Sequence, residues 1–128
     1  MRTAIIGSRN LCLPLKKFIK IDDIDEIITG GARGIDYCAQ LFAKNSNIPC
    51  RVIEPNYSLY GNKAPIIRNK EIANSCDHLI AIWDGNSKGT KNTIDFAIHL
   101  NKIVTVFLIK NNITKKYVLN YSNQLRFF

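Results

Sequence analysis

His78-Leu79-Ile80-Ala81-Ile82-Trp83, followed at once by Asp84-Gly85-Asn86-Ser87-Lys88-Gly89-Thr90, decides how the rest of the chain is read. The first run is apolar, short and stopped by a polar glycine turn, which predicts a strand buried on both faces. The turn, residues 84–88, leads into a helix predicted over residues 90–100. A strand that passes through a glycine turn into a helix is the repeating unit of a parallel sheet, because parallel neighbours need a crossover connection.

The same unit recurs on both sides. Toward the C-terminus, Ile103–Ile109 is another continuous apolar run, and Tyr117–Leu119 is a candidate extra edge strand. Toward the N-terminus, Thr3–Ile6 is a β-branched run stopped by Gly7, and Glu26–Thr29 is stopped by Gly30-Gly31. Arg51–Ile53 follows Pro49, which cannot continue a helix. Between these runs, Leu15, Phe18 and Ile19 predict a short helix over 13–19. Ile35, Cys38, Ala39, Leu41 and Phe42 predict another that ends within 45–47. Residues 54–63 predict a loop, and Pro65 suits the first turn of a helix reaching Ser75. The pattern implies an α/β chain: a Rossmann-like, open, doubly wound sheet of about five mainly parallel strands with helices on both faces.

Composition bounds the rest. A chain of 128 residues with 46% hydrophobic and 22% charged residues fits a single domain, with a core over 1–109 and a basic extension over 110–128. No apolar run is long enough for a spanning helix, and the apolar start at Thr3–Ile6 is too short for a signal peptide, so a cytoplasmic protein without a membrane partner is expected. Cys12, Cys38, Cys50 and Cys76 form no Cys-x-x-Cys pair, which predicts buried reduced thiols rather than disulfides or a metal site. The sequence calls for no cofactor.

The net charge of +8 points to an anionic partner. Much of it lies at the ends: Arg2, Arg9, Lys16, Lys17 and Lys20 in the first twenty residues, and Lys102, Lys110, Lys115, Lys116 and Arg126 after Asn101. Lysine-rich ends of this kind are usually solvated surface.

The informative residues sit where strands end. Gly7-Ser8-Arg9, Gly30-Gly31-Ala32-Arg33-Gly34-Ile35-Asp36 and Asp84-Gly85-Asn86-Ser87-Lys88-Gly89-Thr90 should all emerge at the carboxyl edge of the sheet, where ligands bind at the switch in strand order. Glycine lets the backbone approach a ligand, and helices opened by Gly34 and Gly89 would aim free N–H groups at an anion. Ser8, Ser87 and Thr90 add hydroxyls, and Arg9, Arg33, Arg68 and Lys88 add charge, so a phosphate-bearing ligand is expected. None of the turns is a Walker A loop or a Gly-x-Gly-x-x-Gly fingerprint, so neither an ordinary ATPase nor a dinucleotide dehydrogenase is indicated. Asn69 follows Arg68 and can face the same cleft. Tyr57, Tyr60 and Trp83 are candidates for stacking on a base, although Trp83 ends a buried strand and reads more as core or cleft wall.

Those turns, with Ile67-Arg68-Asn69-Lys70 and the run from Ile82 to Ile94, resemble the SLOG superfamily, which includes the Smf/DprA DNA-processing proteins and the LOG nucleotide phosphoribohydrolases. The likeness spans residues 1 to about 109 and is nearest to the small, single-domain members. It implies a nucleotide or nucleotide-derived ligand at the glycine turns, and a homo-oligomer, dimeric or higher. In the LOG enzymes the last turn reads Pro-Gly-Gly-x-Gly-Thr-x-x-Glu, and that glutamate, with an arginine on the preceding helix, is catalytic. Here Arg68 stands at the arginine position, and Thr93 stands where the glutamate would be. A binding module that senses or sequesters its ligand is therefore the first expectation. The alternative is a nucleotide N-ribosyl hydrolase using Arg68 with Asp36, Asp84 or Asp95. A third reading, single-stranded DNA binding, rests on the Smf/DprA likeness and the net charge, although the basic ends interleave aromatics only around Tyr117 and Tyr121.

Overall fold

The structure is a computed structural model that describes residues 1–120, so Tyr121 and Arg126 lie outside the described residues. Six strands make one open sheet: β1 (Arg2–Gly7), β2 (Glu26–Thr29), β3 (Cys50–Val52), β4 (His78–Trp83), β5 (Ile103–Lys110) and β6 (Ile113–Leu119). Their spatial order is β3-β2-β1-β4-β5-β6, with every pair parallel except β5 and β6. The helices are α1 (Ile35–Asn45), the short α2 (Tyr57–Tyr60), α3 (Ala64–Ser75) and α4 (Lys88–His99). Pro65 lies in the first turn of α3, where its missing N–H costs no helix bond.

The chain winds from β1 outward to β3, then crosses back and continues from β4 to β5. Right-handed crossovers therefore place α1 on one face and α3 and α4 on the other. Alternation along the strands feeds both layers. Ile5, Ile27, Ile80 and Ile82 pack with Ile35, Ala39 and Phe42 of α1. Ala4, Ile6, Ile28, Leu79 and Ala81 pack with Ile72 and Ala73 of α3 and Ile94 and Ala97 of α4. The doubly wound α/β architecture is thus present, and the switch in strand order falls between β1 and β4.

Local differences from the sequence reading have physical causes. Over 13–19 the chain makes one 3₁₀ turn, Leu15–Lys17, in place of a helix. Pro14 is extended at its start and Asp23 turns the chain with φ 67° soon after it, which leaves too little length to repay nucleation. Leu15 and Ile19 are buried all the same. Within 54–63, Asn56 caps α2 by accepting the Leu59 N–H at 3.1 Å, and a 3₁₀ turn over Gly61–Lys63 leads into α3. The edge strand expected at Tyr117–Leu119 begins earlier, at Ile113. Lys110 pairs with Ile113 across Asn111 and Asn112, both left-handed at φ 52° and 61°, as a two-residue hairpin loop requires. Only Cys38 and Cys76 are buried, whereas Cys12 and Cys50 are exposed. No helix among the described residues is long and apolar enough to cross a membrane.

Candidate functional site

The turns after β1, β2 and β4 meet at the carboxyl edge of the sheet, beside the switch point. The β1 turn is bolted from within. Ser8 is fully buried; its N–H donates to the Ile82 carbonyl at 3.0 Å, and its Oγ accepts the Asp84 N–H at 3.0 Å. Its carbonyl accepts the N–H groups of Ile35 and Leu11. Ser8 therefore joins three segments with its hydroxyl fully buried, where the sequence reading had expected it to face a ligand. Gly7 is held by packing, since a Cβ there would meet the Ile82 carbonyl and Ile35.

The β2 turn is built around two buried polar side chains, Asp36 and Arg68. Asp36, in the first turn of α1, accepts the Ala32 N–H at 3.2 Å and is 5% exposed. Burial pushes its carboxyl up to about 6, against the opposing pull of that N–H, the Arg68 guanidinium and the backbone of Gly7 and Gly30. Arg68 comes from α3 and is 8% exposed. Its Nη1 donates to the carbonyls of Gly30 and Ile53, and its Nε donates to Asn69 Oδ1 at 2.9 Å. Nη2 has no hydrogen-bond partner among the described residues. Asn69 carries the tie onward, its Nδ2 reaching Asn92 Oδ1 at 3.3 Å and the Gly89 carbonyl at 3.5 Å.

The β4 turn is organised by side chains. Asp84 Oδ1 accepts the N–H groups of Asn86 at 2.8 Å and Ser87 at 2.9 Å. Desolvation alone would raise the carboxyl of Asp84, but these bonds, with Ser8 and Asn10, hold it below the usual carboxylate range. Ser87 caps α4 by accepting the Thr90 N–H, so this helix opens at Ser87 and Gly89 lies inside its first turn, a correction to the expected start. Trp83 is spent on the same turn, its Nε1 donating to the Ser87 carbonyl at 3.0 Å. Thr93 Oγ1 donates to the Gly89 carbonyl at 3.0 Å. The first-turn N–H groups of Lys88 and Gly89 remain without partners among the described residues, as helix starts leave them.

Two adjoining cavities lie between these turns. The smaller, about 60 Å³, is lined by Gly7, Arg9, Asp36, Asn69, Thr90 and Thr93, with Ile6, Ala32, Arg68, Ile72, Ser87 and Gly89 completing it. That space takes a few waters or one group of phosphoryl size. The larger, about 330 Å³, is lined by Arg9, Gly30, Gly31, Ala32, Glu54, Pro55, Tyr57 and Arg68. Arg9, Ala32 and Arg68 line both.

The remaining expected residues fall elsewhere. Ser8, Arg33, Asp84, Gly85, Lys88, Tyr60 and Trp83 line neither cavity. Arg33 and Lys88 are exposed. Asp95 lines neither cavity and is paired with Lys91 at 2.9 Å on the exposed surface of α4. Glu54 and Pro55 went unnamed in the sequence reading, although the length of the segment after β3 was a signal for them. Neither a protein-family model, a curated protein nor a solved structure matches this chain.

Proposed function

We propose that the chain is a SLOG-like binding module for a phosphorylated nucleotide or nucleotide-derived ligand, with the phosphate in the smaller cavity and the sugar and base along the larger. The observation that carries this reading is the pair of cations at the junction: Arg9 and Arg68 line both spaces, so one anionic group there is reached from either side. Gly89 supports it. A Cβ at this position would meet nothing within 4 Å, and no positive φ demands glycine, so the fold itself does not require it. The bare backbone instead borders the smaller cavity beside the free N–H groups of α4, a surface suited to phosphate.

Calorimetry against nucleoside mono- and diphosphates, cyclic nucleotides and ADP-ribose tests the reading. Sub-millimolar binding of at least one is expected, lost in Arg9→Ala and kept in Lys115→Ala/Lys116→Ala. No binding across the panel overturns it, and the reverse pattern between the two variants moves single-stranded DNA to first place.

Asp36 favours a second reading, N-ribosyl hydrolysis. A carboxyl in the smaller cavity that keeps its proton to about 6 has the character of an acid catalyst near neutral pH. Release of free base from a nucleoside monophosphate, lost in Asp36→Asn, is the corresponding readout. Intact nucleotide recovered after prolonged incubation leaves binding alone.

A further inference from the structure

Cys12 and Cys38 are 26 positions apart in sequence, yet their sulfurs lie 3.3 Å from each other. Cys12 is exposed in the irregular segment between β1 and the 3₁₀ turn, while Cys38 is buried in α1. A disulfide needs about 2.04 Å between sulfurs, so closure asks for an approach of about 1.3 Å from the contact seen here. That movement falls on Cys12 and the residues after it, 12–14, which have no helix or strand to resist it. The pair opens on a groove of about 590 Å³ lined also by Leu13, Leu15, Leu41 and Phe42, which admits a small oxidant.

We propose that Cys12 and Cys38 form a reversible oxidation site, a dithiol that hydrogen peroxide converts to an intramolecular disulfide. The exposed Cys12 reacts first. Its thiolate attacks one peroxide oxygen, the O–O bond breaks, and a sulfenic acid forms as hydroxide leaves and is protonated to water. Cys38 then gives up its proton and its sulfur attacks the Cys12 sulfur, displacing the sulfenic oxygen as a second water. Two thiols and one peroxide thus become one disulfide and two waters, and an added dithiol reverses the change. Burial pushes the Cys38 thiol up, which suits it to the resolving step rather than the first attack. The other two thiols have no sulfur neighbour among the described residues, and burial raises Cys76 to about 11. The new bond would anchor the segment that carries Arg9 to α1.

Treatment of the intact protein with hydrogen peroxide, followed by thiol counting and peptide mass mapping, tests the proposal. Two of the four thiols should disappear, the protein should become about 2 Da lighter, and the linked peptides should be those of Cys12 and Cys38. The Cys50→Ser/Cys76→Ser variant should behave as the parent. Cys12→Ser, at an exposed position, should keep all its thiols under the same dose. A link between any other pair, a disulfide between two molecules, or sulfinic acid on Cys12 without a link overturns it.

Discussion

The β2–α1 turn and the β4–α4 turn look alike in sequence, two glycine-rich bends at the same edge of the sheet, yet the last glycine of each, Gly34 and Gly89, serves an opposite end. In the first, the fold consumes its glycines. Gly34 has φ +76°, and a Cβ there would stand 2.5 Å from the carbonyl oxygens of Ser8 and Arg9. A Cβ on Gly30 would meet Asp36 Oδ2 at 2.8 Å and Arg68 Nη1 at 2.9 Å. In the second, Asp84 and Ser87 shape the chain and Gly85 turns it at φ +85°, but Gly89 is surplus to folding. A glycine count does not distinguish these cases; what a side chain would touch does.

Substitutions can break this contrast. The largest effect is expected for Gly34→Ala, where left-handed strain and overpacking against two carbonyls together cost about 3–5 kcal/mol. Urea denaturation should show this, and a variant as stable as the parent would mean that the β2–α1 turn is not glycine-bound.

The charge buried beneath that turn comes next. Burial favours neutral Asp36, so the folded chain keeps this proton to about pH 6 while the unfolded chain loses it near pH ~4. The contribution is present at low pH, falls across that interval and is gone above it, a swing of about 3 kcal/mol. Urea midpoints at pH 4.5 and 7.5 should therefore lie closer together in Asp36→Asn, whose stability relative to the parent should rise with pH. A relative stability that does not change with pH would show that Asp36 is ionised throughout.

Ser87→Ala removes the α4 cap and should cost about 1 kcal/mol, read from the same denaturation curves. Smallest of all, Gly89→Ala should stabilise the fold by up to about 1 kcal/mol, because it replaces a helical glycine that no neighbour requires. The same variant should weaken nucleotide binding in calorimetry. Stability gained while affinity is lost would sharpen the contrast between the turns; loss of stability would erase it.

The sheet was legible because burial on both faces writes β1, β2, β4 and β5 as unbroken apolar runs, each closed by a turn. The region before β2 was not, since Leu15, Phe18 and Ile19 occupy one turn of any helix type and cannot tell a 3₁₀ turn from a longer helix. The start of β6 was written in Asn111-Asn112, a left-handed hairpin pair, and went unread because Ile113–Tyr117 lacks apolar continuity. Among site residues, Arg9, Asp36, Arg68 and Gly89 came together as motif order suggested. Ser8 did not, because a hydroxyl at a turn bonds the turn's own backbone as readily as a ligand, while Trp83 packs against the core, the other reading its sequence position allowed. Proximity between Cys12 and Cys38 depends on how α1 lies across the sheet, which no local pattern encodes.

β6 is the last strand of the described sheet on its side, and all seven of its residues are exposed. Among the described residues such a margin has no neighbouring strand, and an edge of this kind can pair with an extended peptide and seed aggregation. Lys115 and Lys116 occupy consecutive positions on it, so one stands on each surface of the sheet. A second β6 laid alongside would bring like charge against like on both surfaces. Lysines at a sheet margin disfavour edge-to-edge pairing, so part of the excess positive charge need not be assigned to any ligand.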